Sequence, residues 1–487
     1  PKYSNPTGEV YSRDTIEGLL DIFGNQSRKN IIFWDNAYAV HDLSNQPPLI
    51  DIFSLAQDKK CENHDRLVAY IAAAQKSDVS IGVAMTDGKG DRSLRPSQQT
   101  QPDTYVHVVA RRPGGIFIKG VKAIITGAPY MHELLVMPCR RMLEEDKDFA
   151  VACAVPIDAD GLTIVTRPAG RPGQESAKFS AKFAQSVAVA HFDNVFVPYE
   201  KVFIDGEVEA AHVMTTNYAT HHRHSCIGAR AGFGDLLIGA GAMMARANGL
   251  DYEKTPHLRE KMVDLIKITE GFYACGIAAS TLGELDRAGN FRPDRVYSNI
   301  GKLLLANQIY DMHRLAHDVS GGLVVALPSP EEDHNPETAP MLSDLLRGSP
   351  DVSYEHRANV ARFIEDLTAS ETGGWYSVIS MHGGGSPEAM KLEVLRNYDV
   401  EARSDLVQAL FDRDALEMGK GVSVDRQPGR CCAAGCGGDD LVKQHALAKN
   451  GKSPGFHRFK KSQDNNWNLE LANYEPSTIR KVFRESR

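Results

Sequence analysis

Tyr130, His132 and Glu133 gather hydrogen-bonding and titratable groups directly after the small-residue run Thr126-Gly127-Ala128-Pro129. Such residues let a chain turn and let a flat ligand come close to the backbone. The stretch Val121 to Pro138 could therefore hold an extended ring system, or it could be a surface hairpin with incidental polar residues. A second stretch, residues 86 to 103 (TDGKGDRSLRPSQQTQPD), is polar and rich in Gly and Pro, and must be a loop. It carries Arg92 and Arg95, whose guanidinium groups can bind a carboxylate bidentately or stabilise a phenolate. Tyr105 follows on the next apolar run. Long polar loops are commonly functional, a solvated connector being the alternative.

Three other groupings invite chemistry. His221, His222 and His224 flank Arg223, but the i, i+1, i+3 spacing cannot put all three imidazoles on one helical face. Glu270, in ITEGFYACG, is an acid in an otherwise apolar helical stretch. If buried, it would have a raised pKa and could act as a base; it could also pair with a Lys or Arg of a neighbouring helix. Cys431, Cys432 and Cys436, with His445, offer ligands for a tetrahedral zinc, yet C-C-x3-C is not a standard zinc spacing. We expect no metal.

The elements that must position these groups follow from pattern. Residues 1 to 103 read as mainly helical: Asp14-Thr15 could cap one helix, and Arg66 to Ala74 is alanine-rich with apolar residues at helical spacing. From 104 to 206 the pattern turns to short β-branched runs of period two, separated by Gly, Pro and charged turns. That spacing suggests a barrel or sandwich. From 207 to 418 long helical segments return, with glycine breaks at 321–322, 373–374 and 383–385, as in a bundle. Residues 419 to 487 are rich in Gly, Lys, Asn and Ser and read as an extension. The 487 residues exceed one compact core. A net charge of -8 disfavours a nucleic-acid surface. The sequence has no apolar run of the roughly 20 residues a membrane helix needs. Its first residues, PKYSNPTGEV, lack the basic and apolar regions of a signal peptide, and its cysteines outside the tail are isolated, so we expect the cytoplasm.

Five stretches occur together in order: MTDGKGDRSLRP, GVKAIITGAPYMHELLVMP, AHFDNVFVPYEKVF, HHRHSCIGARAGFGDLLIGAGA and MHGGGSPEA. Over roughly residues 80 to 415 they resemble the 4-hydroxyphenylacetate 3-hydroxylase and 4-hydroxybutyryl-CoA dehydratase family. The resemblance implies an α+β, acyl-CoA-dehydrogenase-like fold: an N-terminal helical domain, a central β-barrel and a C-terminal four-helix bundle, as a homotetramer. It also implies FAD between the β domain and the bundle. Thr126, Gly127 and Ala128 would line the flavin, and Ser180 and Lys182 would lie on a flavin-contacting loop. His382, Gly383, Gly384, Gly385 and Ser386 would approach the flavin from the bundle, in the same or a neighbouring subunit.

The family divides into two chemistries. Its oxygenases take reduced FAD from a separate reductase and hydroxylate a phenol. Its dehydratases hold a [4Fe-4S] cluster on three Cys and one His and remove water from a CoA thioester. In the loop where that branch places thiolates, this chain has Ser97, Gln98, Gln99, Thr100 and Gln101. Gly301 stands before Lys302 where a Cys is expected, and Asp294 stands at the His position. We therefore expect no cluster, and read the chain as an FAD-dependent monooxygenase with a flavin reductase as partner. The resemblance would make His132 the group that takes the substrate phenol's proton. Arg92 and Arg95 would orient the substrate, with Tyr105 nearby. A cluster-free dehydratase or isomerase acting on an acyl thioester is the alternative, with Glu270 as its base.

Overall fold

The computed structural model describes residues 62–168, 179–285 and 291–411, with two short strands at 460–461 and 467–468. Residues 1–394 form one compact unit and residues 395–487 a second. The expected cap at Asp14-Thr15 and the cysteine tail with His445 lie outside the described residues.

Helix α1 (Glu62–Lys76) buries Leu67, Tyr70, Ile71 and Ala74, which recur every three or four residues as an amphipathic helix requires. The β region is two open four-stranded sheets. The first has the order β1 (Ile81–Ala84), β4 (Glu133–Val136), β5 (Val151–Pro156), β8 (Val202–Asp205). The second has the order β2 (His107–Arg112), β3 (Gly115–Thr126), β7 (Val187–Pro198), β6 (Leu162–Arg167). All neighbours are antiparallel except β1 and β4. Among the described residues the expected barrel does not close. Instead the sheets pack face to face through Ile116, Ile118, Ala190, Phe192, Leu134, Val136 and Cys153. The far side of the first sheet is covered by α1 and by Ala211 and Met214 near the start of the long helix that follows β8. Buried on both faces, β5 reads as the unbroken apolar run VACAVP.

The opening stretch is therefore no hairpin. β3 belongs to the second sheet and β4 to the first, so Thr126-Gly127-Ala128 is where the chain crosses between them.

The helical region contains α3 (Val208–Ala247), α4 (Pro256–Thr281), α5 (Arg295–Ser320), α7 (Tyr354–Thr368) and α8 (Glu371–His382) around one core, which includes Ile227, Phe233, Phe272, Leu305, Ile309 and Ile364. A short α2 (Ser180–Phe183) precedes β7, and α6 (Ala339–Leu345) precedes α7. α9 (Pro387–Asn397) spans the boundary between Val394 and Leu395, and α10 (Glu401–Phe411) belongs to the second unit. At 40 residues, α3 is about 60 Å long and carries the chain from beneath the first sheet into the helical layer. Gly321 ends α5 with a left-handed φ of 78°, a true break. Gly373-Gly374 is not a break. It lies in the first turn of α8, where Gly373 is buried and a Cβ would sit 2.8 Å from the Leu367 carbonyl oxygen. No described helix is long and apolar enough to cross a membrane.

His313 of α5 is buried in this layer. Its Nδ1 donates to Ser377 Oγ (3.3 Å), whose own proton goes to the Gly373 carbonyl (2.8 Å), and its Nε2 has no partner. Burial, and secondarily nearby His317, push its pKa down to about 4. Between pH 4 and the ordinary histidine value of about 6.5, the unfolded chain then binds a proton that the folded chain refuses. Stability is expected to rise with pH across that window, by up to about 3 kcal/mol from this group. Thermal unfolding of wild type and His313→Leu at pH 4.5 and 7 checks it: the variant should show a shallower pH dependence.

Candidate functional site

The crossover turn is tightly built. Gly127 adopts φ 70°, ψ 8°, a left-handed conformation that favours glycine. Its N–H donates to the Ser186 carbonyl (2.9 Å) and its carbonyl accepts from the Tyr130 N–H (2.9 Å). Ser186 is fully buried, and its hydroxyl has no hydrogen-bond partner. Thr126 shares a rung with Val187 and, through it, Arg167. Arg167 in turn donates to Glu371 at the first turn of α8 (3.1 and 2.6 Å). Buried Asp366, near the end of α7, accepts from the N–H groups of Phe179 and Ser180 (2.7 and 2.6 Å). The end of the second sheet, α2 and the α7–α8 junction are thus fastened together. Lys182 is exposed beside them.

His132 follows the turn and is exposed. The Ser80 backbone N–H donates to its Nδ1 (3.0 Å). A backbone amide can only donate, so Nδ1 carries the lone pair and the neutral ring bears its proton on Nε2. The outward nitrogen is then a hydrogen-bond donor.

The 86–103 loop is pinned at its start by a buried ion pair, Lys122 Nζ to Asp87 Oδ1 (2.6 Å). Lys122 Nζ also donates to the carbonyls of Met85 (3.0 Å) and Met137 (2.8 Å), and Asp87 Oδ1 accepts from the Val106 N–H (3.0 Å). Neither residue figured among the expected site residues. The signal was there: Lys122 is in phase with the buried Ile116 and Ile118 of the same strand. Within the loop, Gln99 accepts from the Asp91 N–H (2.9 Å) and donates to the Asp91 carbonyl (2.7 Å). Arg95 is spent on structure: its Nε donates to buried Asp146 (2.8 Å), its Nη2 joins the same carboxylate and also the Arg141 carbonyl. Burial would raise the Asp146 pKa, but bonds from Ser97 and then Arg95 outweigh it and hold the carboxyl below its usual range. Tyr105 is buried, with its hydroxyl toward the Lys89 carbonyl (3.3 Å), and burial pushes its pKa up. Arg92 alone of the two arginines is exposed.

The second group of expected residues lies at the far end of α8. Gly384 (φ 78°) and Gly385 (φ 107°) form a loop against α3. Arg223 Nε donates to the Gly384 carbonyl (2.8 Å) and Arg223 Nη1 to Asn299 Oδ1 (2.6 Å). A Cβ on Gly384 would lie 3.1 Å from Arg223 Cγ and 3.2 Å from His222 Nδ1. These glycines are thus explained by close packing on α3. Gly384→Ala combines left-handed strain with that contact and is expected to cost roughly 1–2 kcal/mol, read as a lowered Tm. Ser386 Oγ accepts from the Ala389 N–H (3.3 Å) at the start of α9, and His382 is exposed. Because α8 has 12 residues, about 18 Å separates this loop from the Arg167–Glu371 link. A compact ligand cannot touch both; an extended one could.

Behind the glycine loop, α3, α5 and α8 bury a polar seam. Cys226 Sγ lies 3.4 Å from His222 Nδ1. Burial would raise the Cys226 pKa, but His222, then Lys302 and Arg230, outweigh it and bring the thiol to about 7. Fully buried Lys302 donates to the Ser380 carbonyl, and burial pushes its pKa down to about 8. Arg230 Nε donates to Ser380 Oγ (2.6 Å), and its guanidinium carbon lies 3.7 Å from the Tyr376 ring centroid. His224 has Nε2 within 2.9 Å of Ser280 Oγ and bridges α3 to α4. Glu270 corrects an expectation: it is exposed, on the face of α4 opposite the buried Leu265, Ile268 and Phe272. The apolar character of the stretch misled because Val263 and Ile266 are exposed there too. No group of metal-binding side chains occurs among the described residues.

The positions that bear on a cluster are committed to the protein itself. Ser97 Oγ donates to Asp146 (2.7 Å). Asp294 caps α5 by accepting from the Tyr297 N–H (2.8 Å). Gly301 faces the α3–α4 packing, where a Cβ would lie 2.5 Å from Ile227 Cδ1 and 2.8 Å from Cys275 Cβ.

Family models place the chain. One described as 4-hydroxyphenylacetate 3-hydroxylase N terminal matches residues 49–204, and its C-terminal counterpart matches 211–412. A model described as aspartate amino-transferase matches residues 1–91. The chain is 35% identical over 365 residues to the 4-hydroxybutyryl-CoA dehydratase/vinylacetyl-CoA-Delta-isomerase of Clostridium aminobutyricum, covering 71% of this chain and 73% of that protein. It is similar in structure to an oxygen-tolerant archaeal 4-hydroxybutyryl-CoA dehydratase from N. maritimus, with a TM-score of 0.71, 30% identity, and coverage of 86% of this chain and 81% of the other. It shares its fold with the oxygenase component of 4-hydroxyphenylacetate 3-monooxygenase complexed with FAD and 4-hydroxyphenylacetate, with a TM-score of 0.66, 23% identity, and coverage of 75% and 77%.

Proposed function

Because the chain belongs to the 4-hydroxyphenylacetate 3-hydroxylase family, we propose that it is a cluster-free FAD enzyme, specifically the oxygenase component of a two-component monooxygenase acting on an aromatic or related small molecule. The observation that carries this reading is the fate of the cluster positions. Gly301 has no room for a side chain, Asp294 is a helix cap, and Ser97 is bonded to Asp146. At these positions the chain has none of the thiolates or the imidazole that the resemblance implies for the dehydratase branch.

The residues present fit a flavin. The Thr126-Gly127-Ala128 turn offers a close backbone approach, and the buried Ser186 hydroxyl beside it lacks a partner. Ser180 and Lys182 would border the same side, and His382 to Ser386 would receive another part of the cofactor, in this subunit or a neighbour. Reduced FAD, supplied by a separate reductase, would bring the electrons that activate oxygen. His132 would donate from Nε2 to a substrate oxygen and stabilise developing negative charge. Arg92, exposed on its pinned loop, would meet an acidic substrate group, and buried Tyr105 would fix the loop's end. We place these residues, apart from Arg92 on the 86–103 loop, in a β domain over 104–206 and a helical domain over 207–418 of a cytoplasmic homotetramer.

Oxygen uptake tests the reading. The purified protein, given FAD and a flavin reductase, should consume oxygen in step with hydroxylation of a phenol. A second reading, a cluster-free dehydratase or isomerase, draws on the 35% identity to the Clostridium enzyme and on Lys302, which stands where the resemblance to that branch implies a Lys. Turnover of a hydroxyacyl thioester without oxygen, and no phenol hydroxylation, would favour it.

A further inference from the structure

We propose that Lys302 and Arg230 form, between α3, α5 and α8, a binding site for a single oxyanion group, a carboxylate or a phosphate carried by a small-molecule ligand. Both cations reach the same residue, Ser380, and so lie side by side. Lys302 is fully buried and Arg230 is 6% exposed. Every acceptor they use is neutral, and among the described residues neither forms an ion pair. Lys302 Nζ has the Ser380 carbonyl as its hydrogen-bond acceptor and Arg230 has Ser380 Oγ, with its guanidinium against the Tyr376 ring. Two like charges buried together without an anion cost several kcal/mol each, unless a ligand supplies the missing charge.

The neighbours agree. Cys226, one helical turn before Arg230, can offset at most one charge as a thiolate, and it shares its environment with His222 of its own helix. Glu393 of α9 acts on Arg223. One turn before Lys302, Ser298 is fully buried and its hydroxyl has no partner, a further donor for an oxyanion. The seam is thus rich in donors and poor in acceptors. The site does not depend on which reaction the flavin serves.

Cys226 is the built-in reporter. An anion bound beside it would repel the thiolate and occupy the cations that favour it, raising its pKa by roughly one to three pH units. The full-length protein is titrated by thiolate ultraviolet absorbance, with Cys226→Ser subtracted, in sodium acetate, sodium phosphate or sodium chloride of equal ionic strength. The proposal predicts an upward shift with acetate or phosphate over chloride. A shift with acetate alone assigns the site to a carboxylate ligand, and one with phosphate alone to a phosphorylated ligand. Lys302→Met should abolish the response and Lys302→Arg should keep it. Superimposable wild-type titrations in the three salts would overturn the site, as would a full response in Lys302→Met. Should the methionine variant not fold, the wild-type titrations decide alone.

Discussion

Replacing Lys122 by methionine is expected to lower the unfolding free energy by about 3–5 kcal/mol, because it strands the Asp87 carboxylate in a dry interior. Lys122 is 2% exposed, and one amine ties β3 to Asp87 and to the backbone beyond β1 and β4. It therefore joins the two sheets and the start of the arginine-bearing loop at a single point. Asp87 Oδ2 already lacks a partner, and without the amine the carboxylate keeps only neutral donors such as the Val106 N–H. Adding Asp87→Asn should recover a good part of the loss, since the charge that made the single variant costly is then gone. Denaturant unfolding of the wild type, both single variants and the double variant measures this. A loss below 1 kcal/mol in Lys122→Met would mean the pair does not hold the sheets.

Replacing His132 by phenylalanine is expected to lower the rate of substrate turnover by roughly 10²–10³-fold, the usual cost of losing one preorganised donor to a developing negative charge. Stability should change little. The ring is exposed, and water can satisfy the Ser80 N–H that now donates to Nδ1. The pairing of a large rate loss with an unchanged Tm separates a catalytic role from a structural one. The steady-state rate of phenol hydroxylation and a melting curve, on the same preparation, read both. A rate within tenfold of wild type would remove His132 from the site.

Much of the architecture was legible because burial imposes period. The alternation in GIFIKGVKAIIT and the apolar spacing of RLVAYIAAA gave a strand and a helix where both are found. What did not carry over depended on partners distant in the chain. Whether β3 and β4 form a hairpin or divide between two sheets is decided by β7 and β5, not by the turn joining them. Gly373-Gly374 reads as a break in isolation, yet packing on the end of α7 makes it part of a helix. Glu270 has apolar neighbours in sequence on both faces of α4, so composition could not say which face looks inward. Arg92 and Arg95 are alike in sequence; only Asp146, about fifty residues on, distinguishes the arginine held by the fold from the exposed one. The lost thiolate positions were visible in the sequence, but that Gly301 has no room for a side chain was not.

The central claim, a flavin enzyme of this family that works without a cluster, is tested most directly by cofactor content. Protein purified without oxygen and reconstituted with FAD, iron and sulfide should be assayed per chain for flavin, iron and acid-labile sulfide. The account predicts bound flavin with neither iron nor labile sulfide above background. A stoichiometric complement of iron and sulfide that survives desalting would contradict it.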